Sequence, residues 1–232
     1  MAGARLLDLH PEGFQQTESG LIAYTDAAGE ERLRAEFRDV TAESVEPGWE
    51  ERWREFHQPL WVGPVWIGPP WETPPEGTPT VSVDPGRAFG TGSHPTTRLC
   101  LELLLEIERG SLLDVGCGSG VLSIAGAKLG FAPVVAIDRD EAAVEATTRN
   151  AVANDVTVDV RHENALEAAL PAADVTVANI DLASVDAVGS RLETGLLITA
   201  GYFHSRTPTL SRFSHLERRI DGGWAADRWE RK

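Results

Sequence analysis

From about residue 95 onward, short apolar runs alternate with segments of helical periodicity. The apolar runs are Leu112–Val115, Val134–Ile137, the alternating Val156, Val158 and Val160, Val175–Ala178 and Leu196–Thr199. Helices are expected where Leu99, Leu103 and Ile107 repeat, through Ile124 and Leu129, and from Asp140 to about Asn154. Strands that alternate with helices predict an α/β fold, with a mostly parallel, doubly wound sheet covered on both faces.

The charge balance narrows the range of partners. The 232-residue chain carries 36 acidic and 21 basic side chains, a net charge of −15. Nucleic-acid binders usually carry the opposite sign on a basic face, so we expect no direct nucleic-acid binding. An acidic surface favours cationic substrates or basic proteins, although solubility alone would also explain it.

Cysteine spacing and hydropathy point to the cytoplasm. Cys100 and Cys117 lack the spacing of a metal site, so we expect neither a metal nor a disulfide framework. No apolar run approaches the roughly 18 residues of a membrane helix. Residues 1–14 lack the apolar core of a secretory signal. We therefore predict a cytoplasmic enzyme without a membrane partner.

The first 80 residues differ in composition from the rest. Residues 1–45 predict a small α+β unit with a hairpin, in which the turn-prone residues 26–29 join strands at Leu21–Tyr24 and Leu33–Phe37. Residues 46–80 are rich in Trp and Pro and are interpreted as a linker, with a short helix before Pro59. Their tryptophans fit an inter-domain core or, alternatively, a substrate-contacting face. Residues 81–232 then form the third and largest part.

A glycine triplet follows the first apolar run of this largest part. Residues 112–120 read LLDVGCGSG, with Gly116, Gly118 and Gly120 between a strand and a helix. Glycines at such a turn allow the backbone to approach a nucleotide-like ligand. The dinucleotide pattern G-x-G-x-x-G fits poorly, because its third position falls on Val121 or Ser123. A nicotinamide-dependent oxidoreductase is therefore the weaker interpretation.

Polar residues end the next strands at the same edge of the sheet. Asp138 directly follows Val134–Ile137, where a carboxylate can accept both ribose hydroxyl hydrogens. Asp140 is the rival for that role, but we expect it to cap the following helix. Asn179 follows Val175–Ala178 and could orient an amine; a bond to its own loop backbone is the alternative.

A second glycine-rich segment, DPGRAFGTGSHPTTRL at 84–99, precedes the first helix. Together with WEERWREFHQPL, DVGCGSG, Asp138 and Asn179-Ile180, it resembles the ribosomal protein L11 methyltransferase family over about Trp49 to Tyr202. The resemblance implies a Rossmann-like class I methyltransferase sheet with a small, shortened N-terminal domain of ferredoxin-like type at residues 1–45. It also implies that the glycine-rich segment folds over the cofactor S-adenosyl-L-methionine.

The resemblance implies a protein N-methyltransferase that methylates lysine side chains, the α-amine, or both, of ribosomal protein L11. Cofactor contacts are carried over to Phe89, Gly90, Thr91, Thr97, Gly116, Gly118, Asp138 and Asn179. Asn179 is also the expected catalytic residue, since it can aim the attacking amine. His94 could act as a base, but we expect it to make a contact at the helix start.

Two departures from the family leave alternatives open. Only about 45 residues precede the Trp-rich stretch, so a strand of the substrate-binding domain is expected to be missing. The C-terminal GGWAADRWERK is polar, which predicts an edge strand or an imperfectly formed one. Methylation of another protein or of a small molecule, or a cofactor-binding module without turnover, remain alternatives.

Overall fold

The computed structural model describes residues 15–17, 20–23, 25, 27–43, 58–84 and 92–232. Its contacts divide the chain into two compact units, Met1–Arg54 and Glu55–Lys232. The boundary falls inside the segment 46–80 that the sequence analysis interprets as a linker. The short helix expected before Pro59 lies outside the described residues.

The first unit contains a two-stranded hairpin and a helix. Strands β1 (Gln15–Thr17) and β2 (Gly20–Ile22) are antiparallel, and helix α1 spans Ala27–Glu36. The predicted strand at Leu33–Phe37 is therefore wrong, as is the turn at 26–29. Helix α1 contains no β-branched residue, and Glu30 and Arg34 form an i,i+4 ion pair of 2.7 Å, both of which favour a helix.

A three-stranded sheet opens the second unit. Strands β3 (Leu60–Val62) and β4 (Val65–Gly68) are antiparallel, and β5 (Thr80–Ser82) runs parallel to β4. Val65, Ile67 and Val81 are fully buried in one core with residues of helix α2 (Pro95–Leu105). Residues 60–80 of the predicted linker thus belong to the folded core of this unit. The six prolines within residues 60–80 do not prevent this, because they lie in or beside turns between short strands.

The main sheet has seven strands: β6 (Leu112–Val115), β7 (Val134–Asp138), β8 (Asp159–His162), β9 (Ala173–Asn179), β10 (Thr194–Phe203), β11 (Phe213–Asp221) and β12 (Trp224–Arg231). Their order is β11-β12-β10-β9-β6-β7-β8. The five strands from β6 to β10 are parallel, whereas β12 runs antiparallel to β10. Helices α3 (Val121–Lys128), α4 (Glu141–Ala153) and α5 (Leu182–Gly189) connect them. The predicted parallel α/β sheet is confirmed.

The polar C-terminal segment forms an interior strand. Strand β12 lies between β10 and β11, and β11 occupies the edge. The expectation of an edge or imperfect strand at the C-terminus is wrong. Asp227 is fully buried there because Arg218, Tyr202 and His215 all hydrogen-bond to its carboxylate. Partnered polar side chains let a polar sequence fill an interior strand.

Among the described residues, no helix is both long and apolar enough to cross a bilayer. Within the same residues, no three His, Cys, Asp or Glu side chains are grouped as metal ligands.

Candidate active site

The loop between β6 and α3 has a backbone that requires glycine. Gly116, Gly118 and Gly120 have φ values of +75°, +56° and +82°. A methyl group at Gly116 would overlap Cγ2 of Ile180, and one at Gly120 would lie 2.8 Å from Cγ2 of Thr147. Both conformation and space therefore exclude side chains, and backbone is left facing the edge of the sheet.

Helix α4 fixes this loop from one side. The hydroxyl of Thr147 donates to the Gly118 carbonyl at 3.0 Å, and Nδ2 of Asn150 donates to the Ser119 carbonyl at 2.8 Å. Thr147 and Asn150 are buried. The sequence analysis missed both residues. The signal in the sequence that could have identified them is two polar side chains, three positions apart, on the face of an amphipathic helix that is expected to be buried.

Asp138 joins the glycine loop to the end of β7. Its Oδ2 accepts from the Gly118 amide at 3.0 Å, and its Oδ1 accepts from the Asp140 amide at 3.0 Å. A carboxylate has about four lone-pair sites, so capacity remains for further donors. The predicted rival, Asp140, caps α4 by accepting from the Ala142 amide at 3.0 Å, which confirms its expected role.

Asn179 and Thr97 meet where β9 ends. The Asn179 Nδ2 donates to Oγ1 of Thr97 across 3.4 Å, a long hydrogen bond. Thr97 is buried in the first turn of α2, whereas Asn179 is partly exposed. Because Nδ2 faces Thr97, the amide oxygen of Asn179 is oriented away from that contact. Ile180, the next residue, is the side chain that packs at Gly116.

His94 begins helix α2. It is the N-cap: its ring Nδ1 accepts from the Thr96 amide at 3.3 Å and lies 2.7 Å from the Thr96 hydroxyl. Burial lowers the pKa of His94, and the positive charge of Arg98 adds to that effect. The expected contact at the helix start is confirmed.

A buried carboxylate lies beneath the loop. Asp114 on β6 is 1% exposed and accepts a short hydrogen bond from the Ser123 hydroxyl. Burial raises the pKa of Asp114 to about 6, and the nearby Asp138 charge adds to the rise while Ser123 opposes it. Burial likewise raises the pKa of the Cys117 thiol, so this cysteine is protonated and unreactive.

The structure brings most of the predicted site residues to one edge of the sheet. Gly116, Gly118 and Asp138 are linked by the loop, and Gly116 is linked through Ile180 to the Asn179–Thr97 contact. Phe89, Gly90 and Thr91 lie outside the described residues.

The family model described as ribosomal protein L11 methyltransferase (PrmA) matches residues 13–226. The chain belongs to this family. The resemblance carried by the glycine-rich motifs is thereby confirmed, and the sheet is the Rossmann-like sheet of class I methyltransferases.

Curated members of the ribosomal protein L11 methyltransferase family are more than a third identical to the chain over the aligned residues. The protein of that name from Alkaliphilus metalliredigens is 39% identical over 174 residues, which is 70% of this chain and 55% of the relative. The one from Methylococcus capsulatus is 41% identical over 182 residues, covering 72% of this chain and 59% of the relative. This chain therefore spans little more than half the length of these relatives.

A solved structure agrees with the fold. The crystal structure of ribosomal protein L11 methylase from Lactobacillus delbrueckii subsp. bulgaricus superimposes with a TM-score of 0.66 at 26% identity. The superposition covers 76% of this chain and all of that chain.

Proposed function

We propose that this chain is an S-adenosyl-L-methionine-dependent protein N-methyltransferase whose acceptors are lysine side chains, the α-amine, or both, of ribosomal protein L11. Family membership supports the reaction class, and the names of the relatives support the acceptor. The acceptor implies a reaction in the cytoplasm. The observation that carries the proposal is the convergence of the glycine loop, Asp138 and the Asn179–Thr97 pair on one edge of the sheet.

The residues at this edge fit the cofactor. Gly116 and Gly118 place backbone without side chains at this edge, and Asp138 retains acceptor capacity for ribose hydroxyls. Thr97 and Asn179 would line the end where the reacting group lies. Phe89, Gly90 and Thr91 are assigned to the same cofactor by resemblance.

The chemistry needs alignment more than acid or base. When bound, the cofactor supplies a sulfonium methyl group, and its sulfur leaves as a neutral thioether. The acceptor nitrogen, which loses one proton to solvent before the attack, gains the methyl group and the positive charge that the sulfur loses. Alignment of reactants contributes up to roughly 7–11 kcal/mol in well-oriented model systems.

The acceptor amine must arrive without its proton. A lysine has a reference pKa of about 10.4 and an α-amine one of about 8. Removal from water lowers the pKa of either group, which favours the neutral form. In the proposal, the Asn179 oxygen, which the Thr97 contact leaves facing away, accepts an amine hydrogen and directs the lone pair. Asn179 is the catalytic residue and His94 supports the helix start.

The test is methyl transfer to a purified acceptor. The chain is incubated with cofactor carrying a radiolabelled methyl group and with purified ribosomal protein L11, and label on the protein is located by mass spectrometry. Label on lysines or on the α-amine is the expected result. If the cofactor raises the melting temperature of the chain but no label is transferred, the chain is a cofactor-binding module without turnover. A rise with NAD instead would favour the oxidoreductase.

Methylation of another protein or of a small molecule is the second candidate. The acceptor in the names of the relatives is that of whole proteins, and this chain aligns with 55% and 59% of two of them. Label on another component of a cell lysate, with none on ribosomal protein L11, would select the second candidate.

A further inference from the structure

The ring of Trp224 contacts two other aromatic rings near the candidate site. The ring of Phe203, at the end of β10, stacks on Trp224 with centroids 4.6 Å apart and an interplanar angle of 24°. The His94 ring meets Trp224 edge-on, with centroids 4.7 Å apart. We refer to Phe203 and Trp224, supported by His94, as the aromatic wall.

The wall stands at the same edge of the sheet as the Asn179–Thr97 pair. Asn179 is in register with Ala200 on β10, and Phe203 follows three residues further along that strand. His94 caps the helix whose first turn carries Thr97. Both members of the Asn179–Thr97 pair are therefore within a few residues of the wall along the neighbouring backbone.

The wall is built on a pinned turn. Gly222 and Gly223, with φ values of +56° and +85°, form the two-residue turn between β11 and β12 that presents Trp224. The Gly223 carbonyl accepts from the His204 amide at 2.9 Å, with the His204 ring Nδ1 also at 2.9 Å. Asp221, at the other end of this turn, forms an ion pair with Arg98 of α2. A turn held from β10 and from α2 keeps the Trp224 ring in a fixed place.

The aromatic wall is exposed to solvent, so packing in the protein core does not explain its two rings. Phe203 is 58% exposed, and Trp224 is only partly buried. An aromatic face in water can hold the aliphatic stem of a lysine and, through its quadrupole, an ammonium group. The net charge of −15 favours a basic partner over an acidic one.

We propose that the aromatic wall formed by Phe203 and Trp224 binds the lysine-bearing, basic segment of the acceptor protein and so selects it. This inference rests on the proposed function and adds the surface that recognises the acceptor. Phe203 and Trp224 are specificity residues that touch the acceptor, and His94 is a positioning residue that supports Trp224.

The experiment compares variants of the wall with a matched control. Phe203→Ala, Phe203→Leu and Trp224→Phe are tested against Trp61→Ala, which removes an aromatic of similar exposure, 53%, from β3. Circular dichroism checks the fold of each variant. Calorimetry gives the Kd of purified ribosomal protein L11 with S-adenosylhomocysteine present, and steady-state kinetics give kcat and KM for the same protein.

We expect Phe203→Ala to raise the acceptor Kd and KM about fivefold to tenfold, with kcat and cofactor affinity within about twofold of the wild type. Phe203→Leu should weaken binding less than Ala but detectably, Trp224→Phe should retain most of the affinity, and Trp61→Ala should change nothing. If the wild type transfers methyl groups but Phe203→Ala has an unaltered acceptor Kd and KM, the proposed role of the aromatic wall is overturned and the proposed function is not. A Phe203→Leu variant that matches the wild type would also overturn that role. No transfer and no acceptor binding by the wild type would overturn the proposed function and the wall together.

Discussion

The Asp138 carboxylate is fixed by the Gly118 amide, which donates to its Oδ2 at 3.0 Å. Its other oxygen accepts from the Asp140 amide at the same distance. Because both bonds come from backbone, the glycine loop and the end of β7 hold the carboxylate in one orientation before any ligand arrives. Preorganisation of this kind reduces what must be ordered on binding.

Replacement of Asp138 by Asn is expected to weaken cofactor affinity about tenfold to a hundredfold. The variant loses the charged carboxylate that would accept hydrogen bonds from the ribose hydroxyls, and hydrogen bonds to charged groups are worth about 1.5–3 kcal/mol. Titration calorimetry with S-adenosyl-L-methionine measures the change. Asp140→Ala is the matched control: it loses a helix cap worth about 1 kcal/mol of stability but should bind the cofactor normally. Equal affinity losses in the two variants would contradict the role of Asp138.

Gly116→Ala is expected to disturb the site, unlike Gly130→Ala. Both glycines have positive φ, +75° and +95°, so alanine costs about 1 kcal/mol or more of backbone strain at either position. A methyl group at Gly130 meets open space, whereas one at Gly116 overlaps Ile180 next to Asn179. Thermal unfolding should show both destabilised, and calorimetry should show cofactor affinity lost only in Gly116→Ala. Wild-type affinity in that variant would show that Ile180 yields without disturbing the site.

The parallel core of the fold could be predicted because its signals are local. Apolar runs such as Leu112–Val115 end at the residues that the pattern indicates, since a strand buried on both faces reads as a continuous apolar run. The start of β8 was harder to predict. Val156 and Val158 alternate with Val160 in the sequence, yet both lie before the first residue of β8. This strand lies at the edge of the sheet, and the apolar pattern of an exposed edge strand is weaker.

What could not be predicted depends on contacts between distant residues. The C-terminal strand can lie in the interior because Asp227 accepts hydrogen bonds from Arg218 and Tyr202. No local sequence pattern predicts such partners. The positions of Asp138 and Asn179 at the ends of β7 and β9 were predictable from the apolar runs that precede them. Thr147 and Asn150 were missed, since their role depends on where α4 packs against the glycine loop.

Asn179→Ala is expected to lower kcat for methyl transfer about tenfold to a hundredfold. In the proposed mechanism, the variant lacks the oxygen that would accept an amine hydrogen and fix the direction of attack, and misplaced reactants lose rate steeply. Thr97→Val, which removes the acceptor of the 3.4 Å bond but keeps the Asn179 oxygen, should lower kcat less. Single-turnover assays with radiolabelled cofactor measure both. If turnover and cofactor affinity are both unchanged in Asn179→Ala, its proposed role is wrong.

Asp227→Ala is expected to destabilise the fold by about 3–5 kcal/mol, because it leaves the Arg218 guanidinium partly buried without its carboxylate. Two nitrogens of Arg218 donate to Asp227 at 2.8 Å, and the Tyr202 hydroxyl donates at 2.7 Å. Chemical denaturation measures the loss. Glu230→Ala, on the same strand but exposed, is the control and should change the free energy of unfolding by less than about 0.5 kcal/mol. A similar small change in both variants would show that the network contributes little.

The buried Asp114 predicts a pH dependence of stability with a definite sign. Its pKa is raised from 3.8 to about 6 in the folded state, so the folded protein binds this proton more tightly than the unfolded chain does. The stabilisation is full below about pH 4 and is lost as the pH rises through 6. Asp114→Asn keeps an oxygen for the Ser123 hydroxyl but does not titrate. Between pH 4 and pH 7.5, the free energy of unfolding of Asp114→Asn should therefore rise relative to the wild type by about 2 kcal/mol. Urea denaturation of both proteins at the two pH values measures this difference, from which the contributions of groups shared by the two proteins largely cancel. A difference that is constant with pH would mean that Asp114 titrates alike in the folded and unfolded chains.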